Sequence, residues 1–158
     1  MNFYLVTLFA HSYLRWVVLG AAVWTVAVTA LGLVQKREWS PLHAGSHAVL
    51  LRAADLQFTL GLILYLFLSP FSQTFFANLG GAMKDPILRF FGIEHVFGML
   101  LAVSCVHIGH LRGKKAQTGR QKLRRVFTWS LVALLWFVVS VPWPFLRYGR
   151  PLLRGIVP

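Results

Sequence analysis

Apolar and polar residues fall in long blocks along this chain, with no short-period alternation. Four apolar stretches stand out, at roughly 3–34, 49–68, 88–110 and 126–141. A helix needs about 20 residues to cross the ~30 Å hydrocarbon layer, and each stretch approaches or exceeds that length. Lipid offers the backbone no hydrogen-bond partner, so each stretch is expected to be helical. The isolated polar residues inside them keep no period of two, which argues against a β-barrel. The second stretch stops at Ser69-Pro70, the third follows Asp85-Pro86, and the fourth ends at Pro142-Trp143-Pro144. The pattern predicts an all-α integral membrane four-helix bundle with up-and-down connections, residues 1–158 forming a single transmembrane domain. The first stretch is too long for a removable signal peptide. It also lacks a basic leader and a small-residue cleavage site, so it is expected to remain as a helix.

Composition strengthens this picture. Hydrophobic residues make up 57% of the chain and charged residues 13%, against roughly 45–50% and 25% in a soluble domain. A soluble protein this small cannot hide so much apolar surface. The net charge is +12, a value that in a soluble protein would suggest nucleic acid. Here the cations flank the apolar stretches, so they read as orientation signals and contacts to anionic membrane lipids. Cys105 is the only cysteine, which excludes an internal disulfide and a thiolate cluster.

The cations also predict orientation. The first and third connections share one side and carry Lys36, Arg37, Arg112, Lys114, Lys115, Arg120, Lys122, Arg124 and Arg125; seven of these nine lie in the acid-free segment 111–125. The opposite side carries Lys84, Arg89, Arg147, Arg150 and Arg154. The excess places both termini outside the cytoplasm. Segment 69–87, rich in Pro, Gly and Phe, is expected along the interface, and Trp39, Trp129, Trp143 and Tyr148 near span ends as interfacial anchors.

Ionisable residues inside a span are expensive and mark candidate function. They are His11 and Arg15 in the first stretch, Arg52 and Asp55 in the second, and Glu94, His95 and His107 in the third, with His110 at its end. On this orientation His11 and His95 both lie about 10–12 Å below the outer surface, at ~1.5 Å of rise per residue. Two histidines at one depth on different helices suit the axial ligation of a haem b iron. Gly92 and Gly98 flank His95 at three-residue intervals and are expected to leave room for the flat macrocycle. Arg15, one turn from His11, is a partner for a haem propionate. Two other readings stay open: the glycines serve helix packing, and His11, Arg15 and Glu94 form a structural polar cluster. A quinone or proton site is a further alternative.

On the inner side, His47 with His107 or His110 forms a candidate second haem site, and His43 lies nearby. Histidines at a basic boundary are also commonly solvated or bound to lipid phosphate. Arg52 and Asp55, three residues apart on one helix, are expected to neutralise each other, with Asp55 as a proton relay the alternative. The chain has no Walker loop, dinucleotide glycine fingerprint, CxxCH or HExxH motif.

The segments HSYLRW (11–16), LQFTLGLILYLFLSP (56–70), RFFGIEHVFGML (89–100) and VPWPFLRYGRPL (141–152) resemble, in order, a family of short bacterial membrane proteins labelled cytochrome b. More distantly the arrangement is similar to four-helix b-type cytochromes. The resemblance implies a haem-bearing electron carrier of the bacterial inner (cytoplasmic) membrane, with His11 and His95 on the motif positions. Expected partners are membrane lipids, quinol or quinone, and a larger membrane complex. The chain thus reads as an electron-transfer or accessory subunit more than a stand-alone enzyme. The alternatives are a cofactor-free scaffold subunit of such a complex, and a small carrier using Asp55, Glu94 and Arg15.

Overall fold

The computed structural model describes residues 2–153; Arg154, counted above among the outer-side cations, lies outside the described residues. Helix α1 spans Phe3–Val34, capped where the Asn2 side chain accepts the Tyr4 N–H at 3.2 Å. Its 32 residues make it about 48 Å long, more than the hydrocarbon layer alone requires. Helix α2 spans Pro41–Ile63 and runs into a π-helical turn, Leu64–Leu68, closed by Ser69 N–H on the Leu64 carbonyl. Three short helices follow, α3 (Pro70–Ala77), α4 (Leu79–Ala82) and α5 (Pro86–Arg89). A second π-helical turn, Phe90–Glu94, leads into α6 (His95–Lys114), and α7 spans Gly119–Ser140. No strand occurs among the described residues.

Two expected boundaries move outward. Helix α2 starts at Pro41, eight residues before the apolar stretch, because Pro41 suits a first helical position and His43 Nδ1 accepts the Ser40 N–H at 3.1 Å. The basic segment 111–125 is largely helical: α6 continues through Lys114, and α7 begins where Thr118 Oγ1 caps the Gln121 N–H at 3.1 Å. Hydrophobicity marks only the part of a helix that lies in lipid. Lys, Arg and Gln are good helix formers in water, so the helices extend past it.

The four long helices form a closed ring, α1 against α2 and α7, and α6 against α2 and α7. Chain neighbours are therefore spatial neighbours, which is the up-and-down bundle. Helix α6 meets α7 along a stripe of small residues, Gly98, Ala102, Cys105, Gly109 and Gly113, all buried. Small residues let backbones approach where lipid supplies no hydrophobic drive for helix association. A Cβ on Gly109 would come within 2.9 Å of Trp129 Cβ. Trp129 packs against the core on this stripe, with the Arg112 guanidinium over its ring at 5.5 Å. Threonines 25 and 29 of α1 are fully buried, and Thr29 Oγ1 donates back to the Thr25 carbonyl at 2.6 Å.

Of the most apolar window in each long helix, only 39%, 28%, 33% and 33% of residues are buried. The remainder faces outward and is itself apolar, with Phe67 and Val139 both 69% exposed. Water would penalise that surface and lipid would not. All four helices are long and apolar enough to cross a membrane, and the chain is a multi-pass membrane protein.

Candidate functional site

At the end of the bundle that holds the N-terminus, His11 and His95 meet with ring centres 6.3 Å apart and planes inclined by 77°. Each ring is held by a different helix. Helix α7 cannot continue past Val141 because Pro142 follows, so its last carbonyls lack intrahelical donors. One of them, Ser140 O, lies 2.8 Å from His95 Nδ1. The acceptor is a carbonyl, so Nδ1 carries the proton and Nε2 is the lone-pair nitrogen. The π-helical turn just before His95 sets its direction: His95 N–H bonds Phe90 O, five residues back. Such turns shift the angular register of every side chain that follows.

His11 projects from α1 onto α2. Gly61 gives it room, since a Cβ there would lie 3.1 Å from His11 Cε1. Gln57, one turn earlier and buried, donates to the His11 carbonyl at 3.0 Å, and its amide nitrogen lies 3.3 Å from His11 Nε2. His11 Nδ1 is buried with no hydrogen-bond partner among the described residues. Both histidines line a cavity of about 160 Å³ whose walls are mostly apolar, from Leu8 and Leu19 to Met99 and Phe137. Arg15 and Arg150 also line it. Arg15 donates to Leu152 O at 2.9 Å, as Trp16 Nε1 does at 3.0 Å, tying the C-terminal segment to α1. Arg150 lies over the Phe71 and Phe91 rings, at 4.7 and 4.9 Å.

Gly92 and Gly98 do not border this cavity. A Cβ on Gly92 would strike the Phe75 ring, and one on Gly98 would strike Ser140 Oγ. The π-helical turn breaks the three-residue register from Gly92 to His95, and Gly98 belongs to the α6–α7 packing stripe. Both close approaches are to protein. Glu94 likewise does not join His11 and Arg15, because it pairs with Arg89 at 2.6 Å.

The inner-side residues separate into two groups. His107 Nε2 pairs with Asp55 Oδ1 at 2.7 Å, across from α6 to α2, and both side chains are nearly half exposed. Asp55 therefore pairs with His107 and not with Arg52 as expected, since the neighbouring helix offers a shorter reach than three residues along its own. His47 stacks on His110 with ring centres 5.6 Å apart and planes 21° from parallel. Of the two candidate inner pairs the structure brings His47 and His110 together, while His107 is taken up by Asp55. His43 serves as the cap of α2.

Two residues of the His11–His95 site escape a reading based on charge. Gln57 is a lone amide in an apolar stretch, a visible signal once uncharged polar residues are counted. Ser140 contributes only its carbonyl, which its identity does not encode, although Pro142 two residues later marks a free helix end. Among the described residues no three His, Cys, Asp or Glu side chains are grouped to hold a metal ion. Comparison of the chain with family models, with curated proteins and with solved structures returns no match.

Proposed function

We propose that this chain is a b-type electron carrier in which His11 and His95 would hold one haem b. The observation that carries the reading is the 6.3 Å between their ring centres. A metal held between two imidazoles at bonds of about 2.0–2.1 Å would need ring centres spaced by roughly this distance. The number of donors agrees. Two nitrogens are too few for a structural zinc site, which takes four protein ligands, but they suit a metal whose equatorial ligands come from a macrocycle. His95 has the outer-sphere support typical of ligand histidines, an Nδ1–H on a backbone carbonyl that leaves Nε2 for the metal. Apolar walls exclude water, and Arg15 with Arg150 offers guanidinium groups to propionates. Bound haem b would supply reversible one-electron exchange. The chain's own part is to hold the ring pair, keep the site dry and balance the propionate charge.

On the positive-inside argument the site lies in the outer half of the bundle, in a bacterial inner membrane with both termini outside the cytoplasm. It would exchange electrons with quinol or with a partner complex. One observation favours a second reading, a cofactor-free accessory subunit: the Gln57 amide already engages the His11 Nε2 lone pair, so haem ligation requires Gln57 to yield. The reduced-minus-oxidised absorption spectrum of the purified protein decides between them. The haem reading expects a low-spin α-band that His11→Ala and His95→Ala each abolish while His107→Ala keeps it. A flat wild-type spectrum after haem supplementation establishes the accessory reading.

A further inference from the structure

The opposite, basic end of the bundle holds a second cavity, of about 270 Å³, between α2, α6 and α7. His47 lines it and is only 5% exposed, yet neither ring nitrogen has a hydrogen-bond partner among the described residues. A buried imidazole with two unpaired nitrogens loses the hydration of both. Around it stand His110 and three cations, Arg52, Lys114 and Lys122, and no carboxylate lines the cavity. The nearest acid on α2, Asp55, is already paired with His107. Lys122 is held over the Trp39 ring at 4.7 Å, which keeps its ammonium at the cavity. Three like charges beside an apolar span repel one another and need a counter-charge. Unpaired nitrogens, clustered cations and empty volume all call for an anion with several acceptor oxygens.

We propose that this cavity binds a phosphate group, with Arg52, Lys114 and Lys122 supplying the positive charge and His47 a buried N–H donor at its floor. Arg52 supplies fork geometry suited to two phosphate oxygens, and the lysines act as point charges. Phosphate in this position comes either from the headgroup of an anionic phospholipid or from a soluble phosphate. The site is separate from the His11–His95 cavity and does not depend on the haem reading.

Native mass spectrometry of the full chain in neutral detergent tests this, with phosphatidylglycerol, inorganic phosphate and oleate as probes. One phosphatidylglycerol should bind per chain about tenfold more tightly than to Arg52→Gln/Lys122→Gln, and His47→Phe, which fills the cavity, should weaken it similarly. Retention of that lipid against millimolar inorganic phosphate identifies a headgroup site. Displacement, with one phosphate retained instead, identifies a soluble phosphate site. If the double variant binds both phosphate probes as tightly as wild type, or if oleate binds as tightly as phosphatidylglycerol, the proposal is overturned. Should the double variant fail to fold, Lys122→Gln alone is read in the same assay, where a threefold-or-greater loss is expected and an unchanged affinity overturns the proposal equally.

Discussion

The two ends of this bundle each bring a pair of histidines together, and the pairs differ in everything but residue type. At one end the His11 and His95 rings are inclined and 6.3 Å apart, walled by apolar side chains, each pinned by a neighbour on another helix. At the other, His47 and His110 stack at 5.6 Å among cations, and His47 has no hydrogen-bond partner among the described residues. A histidine's chemistry is set by what fixes its proton and what surrounds it. A pinned ring in an apolar cavity presents a lone pair and suits a metal. An unpaired ring presents one N–H donor, and the cations around it suit an anion. Helix α6 carries a histidine into each environment, and α2 and α7 also line both cavities.

The largest expected effect on stability tests whether the pinning of His95 is structural. Gly98→Leu forces a side chain into Ser140 across the α6–α7 seam. Overpacking of this kind costs about 3 kcal/mol, read as a lower melting temperature in detergent. The His95–Ser140 contact should loosen with it, so any haem signal should fall together with stability. A Gly98→Leu protein as stable as wild type would show that the seam has slack and that the small-residue stripe does not set the bundle.

The next effect sharpens the outer end. Gln57→Leu removes the amide that engages His11 and leaves a buried imidazole nitrogen unpaired, at a cost of about 1–2 kcal/mol to the cofactor-free protein. If haem ligation competes with Gln57, the same change raises haem affinity. Measured by haem titration, the two directions oppose each other, which no purely structural role for His11 produces. Loss of stability with no gain in affinity would favour the accessory reading.

The smallest effect concerns the pair between the two ends. Asp55 and His107 are nearly half exposed within the spans, and a polar contact between two membrane helices contributes little, about 0.6 kcal/mol. Asp55→Asn keeps a hydrogen bond to His107 and should shift stability by less than about 1 kcal/mol. A much larger loss, measured by the same melting assay, would mean that this face is covered in the assembled protein.

Much of this molecule was legible in the order of its residues. Long apolar blocks and the absence of alternation determined four membrane helices, because a backbone in lipid has no other way to satisfy its hydrogen bonds. The prolines at 70, 86 and 142 marked helix starts and stops, because a ring without an N–H cannot sit in a helix interior. The equal depths of His11 and His95 were likewise readable, since helix rise is constant. The tertiary structure alone decided which groups touch. Gly92 meets Phe75 because a π-helical turn alters the register, which no periodicity rule anticipates, and Gly98 meets Ser140 across the α6–α7 seam. Asp55 chose His107 over Arg52, and Ser140 pinned His95 through a carbonyl that every residue possesses. Length and hydrophobicity are properties of single segments and can be read along the chain. Angular register and partner choice arise only when helices pack against one another, because both depend on distances between residues that the chain separates by 45 to 52 positions.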